Sequence, residues 1–451
     1  MGRLFGTDGV RGIANFELTP ELAFNLGRAG AAVLARDNPR PVIGIGTDTR
    51  ISCHMIENAL TAGILSIGGQ VVKVGVIPTP AVAYLTRAWK LDAGCVISAS
   101  HNPFEYNGIK FFNSEGYKLA DLIEEKIEDI VIRKLDTHPD ITGEKIGVSR
   151  YAAQEAEDLY CHFLLSTIDI RLDGLKVVLD CANGASYRTA PRVYRELGAD
   201  VTVIGDRPNG ININDHRGST HPEALQKKVV EIGADLGLAF DGDADRLIIV
   251  DEKGQIVDGD KTICICAKML KEKGELQANK VTATVMSNIG FHKYIEKVVQ
   301  AEVVTTKVGD RYVLESMMET GSCIGGEQSG HIIFSAYTTT GDGTLSSLQF
   351  MKALAASGRT CSDLASDIVL YPQVLVNARV SNDGKKLLAT DQEVQKAAGE
   401  IEQKLKGEGR LLLRPSGTEP FVRVMIEGKD TEEIQQYADD LASLISRKYS
   451  E

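Results

Sequence analysis

The sequence predicts an α/β protein of several domains. Three similar α/β domains with mixed, mostly parallel sheets are followed by a C-terminal α+β domain, around a central cleft. Three observations predict it. A unit of apolar strand, polar turn, amphipathic helix and second strand recurs three times, the signature of parallel sheets covered by helices. The last ~80 residues abandon that pattern. The chain has 451 residues, room for two to four domains of ~100–200 residues each.

In order, the first domain (1–147) opens with a helix announced by Thr19-Pro20-Glu21, an N-cap, a first-turn proline and a first-turn acid. Leu22, Leu26, Val33 and Leu34 then share a face. The first repeat is a strand over 41–46, a helix over 56–67 and a strand over 69–75. A helix over 122–135 turns Ile123, Ile127, Ile130 and Val131 inward, and 136–147 reads as a linker. The second domain (148–252) begins with a helix over 151–168 and the turn Asp173-Gly174. Its repeat is a strand over 176–180, a helix over 190–197 and a strand over 198–205. The third domain (253–369) repeats the unit as 280–285, 291–299 and 301–304. Leu370-Tyr371-Pro372 marks the hinge of the fourth domain (370–451), expected to act as a phosphate-binding lid. There, strands over 374–380, 411–414 and 421–427 form a sheet with a helix over 392–405. A last helix, capped by Thr431, places Ile434, Tyr437, Leu441, Leu444 and Ile445 on one face.

Composition narrows the function. Apolar residues make up 43% and charged residues 25%, ordinary for a globular enzyme. A formal net charge of −12 with no basic segment argues against nucleic acid as a partner. No apolar run approaches the ~20 residues that span a bilayer, so no membrane is expected. Eight cysteines without framework spacing suit reduced thiols and a cytoplasmic location. Cys264 and Cys266 read as small hydrophobes inside a buried helix.

The stretch richest in chemistry is Asp241-Gly242-Asp243-Ala244-Asp245-Arg246, between the apolar runs 236–240 and 247–250. Three carboxylates so crowded repel one another unless a cation neutralises them. An EF-hand loop would need Gly where Arg246 stands, and helical flanks. A solvated acidic turn is the plain alternative. A Mg²⁺ site of Asp241, Asp243 and Asp245, with Arg246 on a phosphate, fits the pattern better. Upstream, Ser98-Ala99-Ser100-His101-Asn102-Pro103 ends an apolar strand. An arbitrary serine there most often only bonds its own turn, and Ser100 is a weak nucleophile unless activated. Asn107-Gly108-Ile109-Lys110 reads as a turn followed by a cation. Arg11 lies between Gly9 and Gly12 in a loop suited to phosphate. Gly325 to His331 is a Gly-flanked polar loop whose side chains, Glu327, Ser329 and His331 among them, suit sugar hydroxyls or an amine, with an ordinary polar turn as the plain alternative. Arg414, Ser416, Gly417, Thr418 and Arg423 make an anion cradle by composition. One serine, one acidic cluster, one polyol loop and one anion cradle suit a phosphorylated small polyol.

These motifs, in this order and over the whole chain, resemble the α-D-phosphohexomutase family. Gln328 and Gly417-Thr418-Glu419 draw the resemblance toward its glucosamine-phosphate branch. The resemblance implies interconversion of glucosamine 6-phosphate and glucosamine 1-phosphate, a supply of UDP-N-acetylglucosamine, and a homodimer. It implies a phosphoserine at Ser100, with Asp241, Asp243, Asp245 and a Ser100 phosphate oxygen on Mg²⁺. It also implies a glucosamine or glucose 1,6-bisphosphate as priming intermediate. Glu327 and Ser329 would contact sugar hydroxyls, and Arg414, Ser416, Gly417, Thr418 and Arg423 the non-reacting phosphate. Arg11 would offset charge on the phosphoryl group in flight. His101 and Lys110 both remain candidates for proton transfer. Rival readings are a glucose- or mannose-phosphate mutase, a sugar-phosphate phosphatase, and an inactive sugar-phosphate sensor.

Overall fold

The computed structural model describes residues 4–6, 8–35, 38–133, 141–388, 390–416 and 420–449. It divides into two compact units. The first comprises residues 1–286 and 299–367, the second 287–298 and 368–451.

The first unit contains three sheets. Strands β1 (Val10–Ile13), β2 (Val42–Thr47), β3 (Gln70–Val76), β4 (Ala93–Ile97), β5 (Tyr106–Asn113) and β6 (Ser149–Tyr151) form a sheet in the order β1-β5-β4-β2-β3-β6. The second sheet, β11-β10-β9-β7-β8, uses β7 (Lys176–Asp180), β8 (Asp200–Ile204), β9 (Leu236–Phe240), β10 (Leu247–Asp251) and β11 (Ile256–Val257). The third, β13-β12-β14-β15, uses β12 (Lys280–Thr284), β13 (Glu302–Thr306), β14 (Ile324–Gly326) and β15 (Ile332–Phe334). Inside each lies the same four-strand motif. Its first strand pairs in parallel with the second and third, and the third turns back antiparallel into the fourth. The polar stretches around Ser100, Asp241–Arg246 and Glu327–His331 each occupy that last connection. The fold therefore presents three chemically different loops at one equivalent position.

Local chemistry explains the elements. Strands β4 and β9 are buried along their whole length, as strands with both faces covered must be. Helix Pro20–Leu34 starts where expected, with the Thr19 hydroxyl accepting the Leu22 N–H at 3.2 Å. It packs against helix Cys53–Ser66 so closely that a Cβ on Gly27 would meet the Leu60 carbonyl at 2.3 Å. Cys264 and Cys266 are buried in helix Gly259–Glu272, as hydrophobes.

In the second unit, β16 (Gln373–Arg379), β17 (Arg410–Pro415) and β18 (Phe421–Glu427) form an antiparallel sheet in the order β16-β18-β17. Helices Gln392–Leu405 and Thr431–Tyr449 bury Val394, Ile401, Ile434, Leu441 and Ile445 in its core. Helix Ile289–Tyr294 belongs to this unit, its Ile289 N–H bonded to Glu427 at 2.8 Å. No helix among the described residues is long and apolar enough to cross a membrane.

Four local expectations need correction. Tyr151 ends strand β6, and the helix runs Ala153–Ser166. Asn107-Gly108 is not a turn but lies within β5, between β4 and β1. The Asn107 side chain instead bonds Ser52 and Cys53. Asp430, not Thr431, caps the last helix, accepting the Glu432 and Glu433 N–H groups at 2.9 and 3.0 Å. The third crossover helix, expected over 291–299, runs Ile289–Tyr294 and continues as a π-turn over Ile295–Val299. Within the expected linker, 134–140 lie outside the described residues, as do Thr7, Gly417, Thr418 and Glu419.

Candidate active site

Ser100 sits at the end of β4 with φ +51°, a conformation side-chain-bearing residues rarely adopt. Other groups hold it there. The Arg50 guanidinium is fully buried and donates from Nη2 to the Ser100 and Asn102 carbonyls at 2.9 and 2.8 Å. It also bonds the Pro103 and Tyr106 carbonyls, and its Nε pairs with Asp48 at 2.8 Å. Asn214 adds a second donor to the Ser100 carbonyl at 2.8 Å. The Ser98 hydroxyl accepts the Ser100 N–H at 3.0 Å and donates to Asp48 at 2.6 Å. The strained serine is thus fixed by buried, charge-assisted hydrogen bonds.

The acidic loop presses against this serine. The Ser100 hydroxyl donates to Asp241 Oδ2 at 2.6 Å. Gly242 makes the approach feasible, since a Cβ there would lie 2.5 Å from the Ser100 carbonyl oxygen. Ala244, at φ +58°, turns the loop so that Asp241, Asp243 and Asp245 converge, with ligand atoms within 4.8 Å of one another. All three are buried. Burial, then the neighbouring acids, push the Asp241 and Asp245 carboxyls above their ordinary range. Burial would raise Asp243 as well, but Lys110 and the Thr79 hydroxyl, at 3.0 and 2.7 Å, hold it well below. Asp243 Oδ1 and Asp245 Oδ1 are buried and accept no hydrogen bond from a described residue. Three hard oxygen donors, two of them unpartnered, fit a divalent cation.

A cleft of about 410 Å³ opens beside this centre. Ser100, Arg11, His101, Arg246, Glu327, Ser329 and His331, all predicted, line it with Asp245. Arg11 Nε and Arg246 Nε are buried without a described partner, two guanidinium edges suited to an anion. Glu327 Oε1 accepts the Gly309 N–H at 3.1 Å. His331 Nε2 lies 3.2 Å from the Gly341 N–H, 3.6 Å from Asp310 and 3.9 Å from Asp245.

The two candidates for proton transfer separate. His101 Nδ1 lies 3.3 Å from the Ser100 hydroxyl. Burial, then Arg246 and Arg11, lower its pKa to about 4, so the ring is neutral near pH 7. Lys110 is 2% exposed and wedged between Asp243 at 3.0 Å and Asp8 at 2.9 Å. Burial opposes its charge, but those carboxylates raise its pKa above the usual value.

Asp8, Lys118 and Asp310 also line the cleft and were not singled out from the sequence, nor were the supports Asp48, Arg50, Thr79 and Asn214. Asp8 is bound by Arg11, Lys110 and Lys118, and Lys118 also pairs with Asp310. In the second unit, Arg414 and Arg423 stand opposite each other on β17 and β18, which puts two guanidinium groups on one face. Ser416 follows in the same hairpin, its N–H bonded to the Phe421 carbonyl at 2.9 Å.

Four family models match the chain in order. They are described as phosphoglucomutase/phosphomannomutase alpha/beta/alpha domain I over 2–137, domain II over 158–254, domain III over 258–371 and the C-terminal domain over 375–444. The phosphoglucosamine mutase of Clostridium novyi (strain NT) is 56% identical over 448 residues, covering 99% of each chain. That of Thermoanaerobacter sp. (strain X514) is also 56% identical, covering 99% of this chain and 100% of its own. Among solved structures, a phosphoglucomutase/phosphomannomutase family protein from Burkholderia thailandensis superimposes with a TM-score of 0.84 at 23% identity, covering 99% and 98% of the two chains. Aspergillus fumigatus N-acetylphosphoglucosamine mutase, in complex with GlcNAc-6P and magnesium, gives a TM-score of 0.68 at 18% identity, covering 98% and 95%.

Proposed function

The chain belongs to the phosphoglucomutase/phosphomannomutase family, the α-D-phosphohexomutases, and from that premise we propose that it interconverts glucosamine 6-phosphate and glucosamine 1-phosphate. It is an isomerase that works by phosphotransfer, and its product feeds UDP-N-acetylglucosamine synthesis in the cytoplasm. The observation that carries the reading is the Ser100 hydroxyl, 2.6 Å from Asp241, at the wall of a cleft lined by Arg11 and Arg246.

Ser100 works as a phosphoserine. The C1 hydroxyl of glucosamine 6-phosphate attacks its phosphorus, the Ser100 Oγ–P bond breaks, and the 1,6-bisphosphate forms. The bisphosphate turns over in the cleft and returns its C6 phosphate to Ser100, releasing the 1-phosphate. The substrate hydroxyl loses a proton and the serine oxygen gains one. His101, neutral and beside Oγ, is placed to hold that proton. Lys110, neutralised between two carboxylates, serves as a fixed counter-ion. Arg11 and Arg246 hold the phosphoryl oxygens, where catalysis is chiefly positioning and charge compensation. Asp241, Asp243 and Asp245, with a Ser100 phosphate oxygen, would hold Mg²⁺, which when bound would supply Lewis-acid charge stabilisation at the phosphoryl group. Glu327 and Ser329 bind sugar hydroxyls with His331 beside them. Arg414, Ser416, Gly417, Thr418 and Arg423 hold the non-reacting phosphate. A 1,6-bisphosphate of glucosamine or glucose primes Ser100.

Relative kcat/KM on the 6-phosphates of glucosamine, glucose and mannose tests the substrate, and free phosphate measured beside isomer tests the reaction. Glucosamine 6-phosphate should be preferred, with isomer formed and little phosphate released. Preference for glucose or mannose, or phosphate as the main product, would overturn the reading.

A further inference from the structure

One carboxylate on the cleft wall has no part in the chemistry above. Asp310 begins helix Asp310–Thr320, with its side chain 18% exposed to the cleft. Its Oδ2 meets the Lys118 ammonium, while its Oδ1 accepts no hydrogen bond from a described residue. Burial would raise its pKa, but the Lys118 charge holds it below the ordinary range, so it is ionised near neutral pH. The other cleft carboxylates already have roles. Asp8 is bound by three cations, Asp245 belongs to the acidic trio, and Glu327, with one oxygen on the Gly309 N–H, is assigned to the sugar hydroxyls.

Resting on the reading of this cleft as a glucosamine-phosphate site, we propose that Asp310 selects the amino sugar, its open Oδ1 accepting an N–H of the C2 ammonium. Carbons 1 and 6 exchange the phosphoryl group, so the non-reacting hydroxyls that a polyol loop can grip are those on C3 and C4. The C2 substituent is next to C3. The Gly309 N–H holds Glu327 one residue from Asp310 at 3.1 Å, so a ring gripped at Glu327 brings C2 to the neighbouring carboxylate. Glucosamine offers a cation there, since an amine of this kind is largely protonated near neutral pH. Glucose and mannose offer a neutral hydroxyl, and a charge-assisted hydrogen bond is roughly twice as strong as a neutral one. Asp310 thus discriminates by charge, while Lys118 keeps Asp8 as a second anchor at 2.8 Å.

The test compares kcat/KM for glucosamine 6-phosphate and glucose 6-phosphate in wild type, Asp310→Asn, Lys118→Met and Glu327→Gln, at one Mg²⁺ concentration with glucose 1,6-bisphosphate as primer. Asp310→Asn should lower the glucosamine-to-glucose ratio by about 10- to 100-fold, the range of one charge-assisted hydrogen bond. Lys118→Met and Glu327→Gln should lower both substrates together and leave the ratio. If Asp310→Asn lowers both substrates equally, or leaves both unchanged, the inference fails while the substrate assignment stands. If wild type itself does not prefer glucosamine 6-phosphate, the substrate assignment fails. Asp310→Ser, shorter but still polar at the helix start, is read in the same way should the asparagine variant not fold.

Discussion

Lys110→Met separates an electrostatic role for this lysine from an acid–base one. The ammonium lies 2.9 Å from Asp8 and 3.0 Å from Asp243 in a buried setting. At an effective dielectric constant near 20, each contact is worth about 5 kcal/mol of Coulomb attraction. Desolvating the ammonium takes back much of that sum. Truncating one member of a buried ionic cluster typically costs about 3–5 kcal/mol, because the remaining charges are stranded. Methionine keeps most of the volume, so the loss is electrostatic. Urea unfolding without Mg²⁺ should show a loss of that order in the unit carrying the acidic loop. Mg²⁺ should restore more stability to the variant than to wild type, because the cluster then has one cation fewer of its own. If Lys110 carried a proton in turnover instead, the variant would lose activity and its pH–rate profile would lose a limb, with stability little altered. Wild-type stability in Lys110→Met, with or without Mg²⁺, would refute the counter-ion argument.

Other expectations follow from single contacts. Gly242→Ala places a methyl group 2.5 Å from the Ser100 carbonyl, which is backbone, and 2.8 Å from the Asn214 side-chain Nδ2 that holds the same carbonyl. A displacement of the serine on the order of 1 Å should lower kcat by about 10²-fold while circular dichroism stays native; an unchanged kcat would show that the loops need not touch. In the second unit, exposed Glu408 accepts hydrogen bonds from Tyr371 at 2.8 Å and Lys293 at 3.0 Å and pairs with Lys429 at 3.2 Å, and these lower its pKa to about 2. Its contribution to stability is complete above the ordinary glutamate pKa of about 4.3 and is lost as pH falls from there through about 2. Glu408→Gln should be less stable than wild type near neutrality, with the gap closing in acid. A gap that widens in acid would reverse the sign.

What the sequence made legible was local. The acidic loop was readable because its three carboxylates are two residues apart, and the serine turn because an apolar strand leads directly into it. The three crossover units showed because a strand covered on both faces is apolar throughout, as in β4 and β9. Long-range pairing was not readable. Arg50 acts on Ser100 from fifty positions away, and Asn214 from 114. Lys118 meets Asp310 across 192 residues. Nothing in an isolated Lys or Asn announces such a partner, although a charged Asp48-Thr49-Arg50 directly after apolar β2 was a signal available to be used. Asn107-Gly108 misled because the pair favours turns, whereas here Gly108 serves a close approach. A Cβ there would meet the Ser98 carbonyl at 2.6 Å and Arg11 Cγ at 2.9 Å. The glycine thus lets β1 bring Arg11 in beside the serine loop.

The central claim is that Ser100 carries the phosphoryl group between the two ends of the sugar. Peptide mapping by mass spectrometry after incubation with glucose 1,6-bisphosphate tests it most directly. One phosphoryl group is expected on the peptide containing Ser100, removed on adding glucosamine 6-phosphate or glucosamine 1-phosphate as acceptor, with neither label nor turnover in Ser100→Ala. Phosphate on a different residue, or undiminished isomerisation by Ser100→Ala, would contradict it.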